Sequence, residues 1–310
     1  MQRLHELNRK SNTIKGSQTL ICRTMEATMT LEGRVCMVTG ATSGIGRATA
    51  EALSRMGAAL VLVGRSREKS EETIMFIKES TGNSKVEYLL ADLSSQKEIR
   101  SLVEKFKSNH SSLHVLVNNA GATFSKRRET VDGFEMTWAT NYLSCFLLTN
   151  LLLDLLKSSA PSRIVNVSSG LHRRARLDFN DLQLKAGYSR DRAYDLSKLA
   201  MVLFTYELAR RLEGSRVTAN ALGPGLVRTN LGKNEDLATK LAKSFADLFA
   251  ASAEEGARTS VYLASSPEVE GVTGMYFLKG REARSSDLSY NSEFAKRLWE
   301  ISEAQTGLKR

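Results

Sequence analysis

Two kinds of apolar patterning alternate along the chain. Short, nearly unbroken runs rich in Val, Leu and Ile, "RVCMVTG", "AALVLVGR", "KVEYLLADL", "LHVLVNNAG", "RIVNVSS" and "RVTANALGPG", begin at Arg34, Ala58, Lys85, Leu113, Arg163 and Arg216. Between them lie longer stretches with apolar residues at helical spacing: Ala41 to Gly57, Ser66 to Gly82, a long one ending near Leu156, and "LAMVLFTYELARRL" from Leu199. The first stops at Gly57 and the last ends in Arg210 and Arg211, as helix C-termini do. Strands that are apolar throughout are buried on both faces, which predicts a parallel sheet with helices on each side. No repeat or low-complexity linker interrupts the alternation, and the chain has only three prolines. The predicted fold is α/β, a single doubly wound parallel sheet over residues 31–310, preceded by an extension of about thirty residues.

The loops at the carboxyl ends of these strands carry the candidate chemistry. "TGATSGIG", Thr39 to Gly46, joins the first strand to the first helix. Glycines there permit positive φ and close backbone approach, and the helix N-terminus faces an anion, so Gly40, Thr42, Ser43, Gly44, Ile45 and Gly46 are candidate dinucleotide contacts. The spacing departs from G-x-G-x-x-G, and the strand-loop-helix context carries the reading. The second strand ends at Arg65, with Arg67 and Lys69 beyond and no acid before Glu68. An acid there would select NAD through the ribose 2'-hydroxyl, whereas arginine suits the 2'-phosphate of NADP. Asp92 and Leu93 close the third strand and Asn118, Ala120 and Gly121 the fourth, where open sheets bind ligands.

"YDLSK" places Tyr194 and Lys198 four residues apart, on one face of a helix. The pair reads either as an amphipathic surface pair or as chemistry. A phenol with a pKa of about 10 exchanges protons poorly near neutral pH, and an adjacent ammonium is expected to lower it.

Five motifs in register, "TGATSGIG", "NNAG", "RIVNVSS", "YDLSK" and "PGLVRT", resemble the short-chain dehydrogenase/reductase family from about Leu31 to the C-terminus. The insert "GLHRRARLDFNDLQLKAGYSRDRA" and the ending "EFAKRLWEISEAQTGL" resemble its retinol dehydrogenase-like branch. The resemblance implies a Rossmann-type sheet and an NADP-dependent enzyme interconverting an alcohol and a carbonyl on a lipophilic substrate, retinoid-like or another apolar aldehyde or ketone. It implies Tyr194 as acid/base, Lys198 as its partner and a holder of the nicotinamide ribose, and Ser169 as the hydroxyl that orients the substrate oxygen, with Ser168 the alternative. Asn141 would steady a water linking the lysine to solvent. Pro224 and Gly225 would shape the cofactor loop, and Thr229 would reach the carboxamide. Related retinol-type enzymes commonly carry histidine just before this proline, whereas this chain has Gly223. A steroid or small-carbonyl reductase uses the same machinery. A nucleotide-sensing binding protein is the rival from another class.

The 310 residues carry a formal charge of +10, which on its own is compatible with nucleic acid, an anionic membrane or an anionic cofactor. The NADP reading uses part of it without nucleic acid. More of it lies in the first thirty residues, where Arg3, Arg9, Lys10, Lys15 and Arg23 face Glu6 and Glu26. That segment reads as a transit peptide, a disordered tail, or an upstream start with translation from Met25 or Met29. Cys22, Cys36 and Cys145, with four histidines, support neither a disulfide framework nor a metal site, so the expected setting is a reducing intracellular compartment, cytoplasmic or an organelle reached through the extension. "FLLTNLLLDLL" is broken by polar residues and falls short of the ~20 needed to span a bilayer, so it predicts a core helix. The "HRRAR" cluster, His172 to Arg176, and "SKRRE" around Arg127 predict solvated rims or a basic membrane-facing surface. Leu241, Phe245, Leu248 and Phe249 are candidates for an apolar pocket, a peripheral membrane contact or core packing. A homodimer is compatible with the family.

Overall fold

The computed structural model describes residues 30–225 and 252–308. In chain order the strands and helices are β1 (Val35–Thr39), α1 (Gly44–Arg55), β2 (Ala59–Gly64), α2 (Arg67–Thr81), β3 (Val86–Leu90), α3 (Gln96–Asn109), β4 (Val115–Asn118), α4 (Met136–Ser158), β5 (Ser162–Val167), α5 (Arg190–Arg211), β6 (Val217–Gly223), α6 (Ala253–Ser265), β7 (Tyr276–Leu278), β8 (Arg281–Glu282) and α7 (Ser292–Thr306). They form one sheet in the order β3-β2-β1-β4-β5-β6-β7-β8. All neighbours are parallel except β7 and β8, a short antiparallel edge that the apolar runs did not predict because β8 is two charged residues long.

The doubly wound prediction holds, and the pleat explains it. Met37, Val61, Val63, Leu116, Ile164 and Ala219 point to one face, where they meet apolar residues of α3, α4, α5 and α7. Their neighbours Cys36, Val38, Leu60, Leu62, Val115, Val117, Val165 and Val167 point to the other, against α1, α2 and α6. Each strand therefore feeds two cores. Cys36 and Cys145 are buried free thiols. The chain crosses from β3 at the edge back to β4 beside β1, so the sheet order reverses about β1 and opens a crevice at the carboxyl ends of β1 and β4.

Helix α4 contains "FLLTNLLLDLL". It is long and apolar enough to cross a membrane by composition, yet Phe146, Leu147, Leu148, Leu152 and Leu156 are buried in the core. Near its start, Ala139–Leu143 form a π turn, a local widening that apolar periodicity does not reveal and that is common at functional sites. Helix α7 covers α4 and α5. Trp299 sits edge-on to Phe146 at 4.9 Å and beside Phe204 at 5.7 Å, with the Arg211 guanidinium 4.2 Å above its ring centre. Below it, the Tyr142 and Ser302 hydroxyls are 2.6 Å apart. Trp299→Ala removes this buried ring and is expected to cost about 3–5 kcal/mol in urea unfolding.

Candidate functional site

The crevice is built from backbone first. Gly40 and Gly44 have φ of +64° and +53°, angles that L side chains adopt reluctantly. A Cβ at Gly46 would overlap the Gly40 carbonyl oxygen and the Asn119 amide, so a glycine is required for the helix to start this close to the loop. The loop is fastened across the crevice. The Thr39 hydroxyl accepts from the backbone N–H groups of Asn119 at 2.9 Å and Ala120 at 3.0 Å, and donates to the Val117 carbonyl at 3.3 Å. The Asn119 side-chain amide donates to the carbonyls of Thr39 at 2.9 Å and Gly40 at 3.3 Å.

Helices α2, α3, α5, α6 and α7 each have a side chain capping their first turn: Ser66, Ser95, Ser189, Ser252 and Asn291. Glu135 does the same for α4. Helix α1 differs. Ser43 caps it in position only, without a side-chain hydrogen bond, and its first turn carries no acid. Its first amides thus keep their capacity for an anion, and the space over Gly44 is open for 4 Å where a Cβ would stand. These features fit the pyrophosphate of a dinucleotide.

The other nucleotide-side candidates separate into those left available and those already engaged. Arg65 is exposed just past β2, with no hydrogen bond or ion pair among the described residues. Arg67 is engaged, donating to the Tyr88 hydroxyl at 3.0 Å and facing Glu71 at 3.6 Å. Thr42 packs its methyl against Gly64, and Ile45 is buried beneath the loop. Asp92 holds its own turn by accepting from the Ser94 N–H and hydroxyl at 2.9 and 2.8 Å, while Leu93 lines a small cleft with Thr39, Ala120 and Cys145. The Asn118 side chain turns away from the crevice, donating to Asn166 at 2.9 Å and Thr149 at 3.0 Å inside the core. Only its backbone remains at the strand end. Gly225 has φ of +83° directly after Pro224. Thr229, Leu241, Phe245, Leu248 and Phe249, like the N-terminal extension through residue 29, lie outside the described residues.

Tyr194, Lys198, Ser169 and Asn141 are brought to one end of the crevice. The Lys198 ammonium is buried and donates to the Val167 carbonyl at 2.8 Å, lying 5.6 Å from the centre of the Tyr194 ring. A Cβ built on Gly121 would stand 3.6 Å from Lys198 Nζ and 3.5 Å from Asn141 Oδ1, so the β4 loop, the lysine and the asparagine meet at one point. Asn141 lies in the π turn of α4. It accepts from the Ala122 N–H at 2.7 Å and donates to the Ala122 carbonyl at 3.0 Å and to the Ser197 hydroxyl at 3.1 Å. With its side chain so committed, any part it takes in a water chain falls to its backbone.

The two adjacent serines part company. Ser168 is buried and donates to the Lys198 carbonyl at 2.8 Å, while Ser169 opens a 3₁₀ turn at the crevice and faces the Tyr194 phenol.

Burial sets the acidities here. It pushes the Lys198 ammonium down to about 8, a shift that the neighbouring Cys145 thiol opposes. It also holds the Tyr194 phenol above its ordinary value, helped by Asp195 and Tyr276 and opposed by Ser169. The expectation that the lysine lowers the phenol is therefore not met in the protein alone. Both groups are desolvated, and the ammonium is directed at the Val167 carbonyl.

Residues 34–240 match the short chain dehydrogenase family. The chain belongs to the short-chain dehydrogenase/reductase family. It falls in the retinol dehydrogenase-like branch. Human "Polyprenol dehydrogenase" is 47% identical over 282 residues, covering 89% of this chain and 86% of that protein. Human "Retinol dehydrogenase 14" is 44% identical, with coverage of 90% and 88%. A solved structure of an uncharacterized protein from Mycobacterium Paratuberculosis aligns with a TM-score of 0.74 at 33% identity, over 91% of this chain and 97% of that one. The Pseudomonas aeruginosa RhlG/NADP active-site complex aligns at 0.65 and 27%, over 80% and 95%.

In this short-chain dehydrogenase Thr39 and Asn119, which fasten the loop, stand inside the motifs yet were not among the expected site residues. The signal was available: a polar pair ending the apolar β4 and a threonine ending β1. The buried Asn118–Asn166–Thr205 chain, in which Asn166 donates to Thr205 at 2.9 Å, has no comparable signal in the sequence. His172, expected on a basic rim, is fully buried, while Arg174 is exposed and pairs with Asp195 at 3.3 Å.

The Lys198 shift carries a stability prediction. Below about pH 8 the folded chain holds a buried cation whose unfolded pKa is 10.5, so folding is penalised; the penalty fades as pH rises from about 8 to 10.5. Lys198→Met is expected to stabilise the protein at pH 7 by about 1–2 kcal/mol, after allowing for the lost bond to Val167. Urea unfolding should show that gain shrinking toward pH 10.5.

Proposed function

We propose that this chain is an NADP-dependent oxidoreductase that interconverts an alcohol and a carbonyl on a lipophilic substrate, with retinoid-like and other apolar aldehydes and ketones as the substrate class. The observation that carries the reading is the convergence of Tyr194, Lys198, Ser169 and Asn141 beside Gly121, at the sheet's switch point. Arg65 supports NADP, because it stands exposed and without a carboxylate partner among the described residues at the β2 end. The relatives' names, a polyprenol and a retinol dehydrogenase, favour an apolar alcohol, and the RhlG/NADP complex favours the phosphorylated nucleotide.

Bound nicotinamide supplies or accepts the hydride. The protein's residues handle the proton and the geometry. A Tyr194 phenol held above its ordinary pKa is protonated at neutral pH and donates to the oxygen of a carbonyl undergoing reduction. Ser169, at the same mouth, orients that oxygen through its hydroxyl. Among the described residues Lys198 spends one donor on Val167, which leaves two for the ribose hydroxyls. Reduction is the direction this arrangement favours wherever NADP is kept reduced.

NADPH absorbance followed against retinal, aliphatic aldehydes and steroids tests the reading. Wild type is expected to oxidise NADPH with at least one apolar carbonyl, and Tyr194→Phe to lose about a thousandfold in kcat. Nucleotide binding without turnover on any carbonyl would make the chain a nucleotide sensor instead. Arg65→Ala is expected to weaken NADPH binding by about ten- to a hundredfold and to leave NADH binding unchanged. Equal losses for both nucleotides would overturn the NADP assignment.

A further inference from the structure

The turn that carries Ser169 is tied to a distant part of the chain through one imidazole. His172 is fully buried, although the two arginines that follow it are exposed. Its Nδ1 lies 2.6 Å from the Ser169 carbonyl oxygen, and its Nε2 lies 3.0 Å from the backbone nitrogen of Ser286. A carbonyl can only accept and a backbone N–H can only donate, so both ring nitrogens are assigned: Nδ1 carries the proton and Nε2 is bare. Burial, with Arg173 in support, lowers the pKa of this imidazole against the pull of the Ser169 bond, which keeps the ring neutral. The groups around it are Arg173 from its own turn, Tyr276 from β7, with ring centres 4.9 Å apart, and Ser286 from the segment after β8.

The far partner is itself fixed to the helix that bears the reacting groups. Ser285, one residue before Ser286, has its hydroxyl 2.7 Å from that of Tyr206 and 2.6 Å from that of Ser289, and its N–H donates to the Tyr290 hydroxyl at 3.0 Å. Tyr206 belongs to α5, the helix of Tyr194 and Lys198, and its ring stacks with that of Tyr290 at 5.5 Å. A second tie runs beside the first, from the Arg173 guanidinium to the Arg284 carbonyl. Within the turn the holds on Ser169 are local: its carbonyl also accepts the N–H of His172, and its hydroxyl accepts the N–H of Leu171, each at 3.2 Å. The imidazole therefore closes a circuit of contacts that leaves Ser169, passes through Ser286, Ser285 and Tyr206, and returns along α5 to Tyr194.

We propose that His172 is a positioning residue for Ser169: its imidazole braces the serine carbonyl against the Ser286 amide, and so fixes the serine hydroxyl relative to the Tyr194 phenol. This rests on the oxidoreductase reading above, in which that hydroxyl orients the substrate oxygen. Misplacing a reacting group by about 1 Å can cost on the order of a hundredfold in rate. A buried ring with both nitrogens bonded has little freedom to let that happen, since any tilt leaves a buried carbonyl or amide unpaired.

Two variants each cut the brace at one end. An asparagine amide reaches the place of Nδ1 and a glutamine amide that of Nε2, so His172→Asn keeps the bond to Ser169 and loses Ser286, and His172→Gln does the reverse. Each is expected to lower kcat about tenfold, well below its Tm, with NADPH affinity unchanged. Wild-type kcat in either variant overturns the proposal. In a Ser169→Ala background, where the hydroxyl is gone, the same substitutions should lower the residual rate by less than about twofold. Equal losses in both backgrounds would be general damage and overturn it too. Nitrogen NMR of isotope-labelled histidine in the wild type needs neither turnover nor a variant. It should show one ring protonated at Nδ1 and bare at Nε2 that stays neutral below the ordinary value of 6.5; the absence of such a ring overturns the brace. A wild type inactive on every alcohol and carbonyl overturns the oxidoreductase reading and the role of His172 with it, an outcome distinct from an active wild type matched by both variants.

Discussion

The site depends on holding an ammonium in a dry place against a backbone carbonyl. Lys198 is buried at the end of the sheet and, among the described residues, donates to the Val167 carbonyl alone, an arrangement that water-exposed lysines have no reason to adopt. Three surrounding features make it possible. Helix α5 brings the lysine in from its buried face, the π turn of α4 brings in Asn141, and the β4 loop at Gly121 lies against both. A Cβ at 121 would lie in ordinary van der Waals contact with the ammonium and the asparagine together. The Tyr194 phenol shares that dry environment, and so stays a proton donor at neutral pH.

Rigidity beneath the site comes from polar groups that are buried and paired. Asn118 and Asn166 join β4 to β5, and Thr205 carries the chain of bonds into α5 below Lys198. Thr39 and Asn119 lock the glycine loop to the β4 loop. Helix α7 seals the outer face of α4 and α5 through Trp299 and Tyr142. Once satisfied, such networks select one arrangement, because any alternative leaves a buried amide or hydroxyl unpaired. Not every buried oxygen is paired among the described residues: Asn118 Oδ1, in this network, and Asp195 Oδ1, next to Tyr194, have no hydrogen-bond partner there.

Much of this was legible in the residues. The apolar runs from Arg34 to Gly225 marked every parallel strand through β6, because strands covered on both faces need no polar alternation. The glycine loop and the Tyr194–Lys198 spacing marked the two ends of the crevice, since each depends on local geometry. What depends on tertiary packing was not legible. "HRRAR" reads as a charged rim, yet His172 is drawn inward by the Ser169 carbonyl and the Ser286 amide, a partner more than a hundred residues away. "NNAG" offered Asn118 as the cofactor contact, and only the fold sends its side chain into the core and that of Asn119 to the loop. The net acidity of Tyr194 was not legible either, because spacing reveals the nearby ammonium and says nothing of the desolvation that raises the phenol.

The most direct test of that balance is the ionisation of Tyr194 itself, followed as the tyrosinate ultraviolet difference between wild type and Tyr194→Phe across pH in the free protein. Burial predicts that this phenol ionises above the ordinary tyrosine value of about 10. A phenolate that forms near neutral pH in wild type and is missing from Tyr194→Phe would contradict the account, by showing that the ammonium prevails over desolvation.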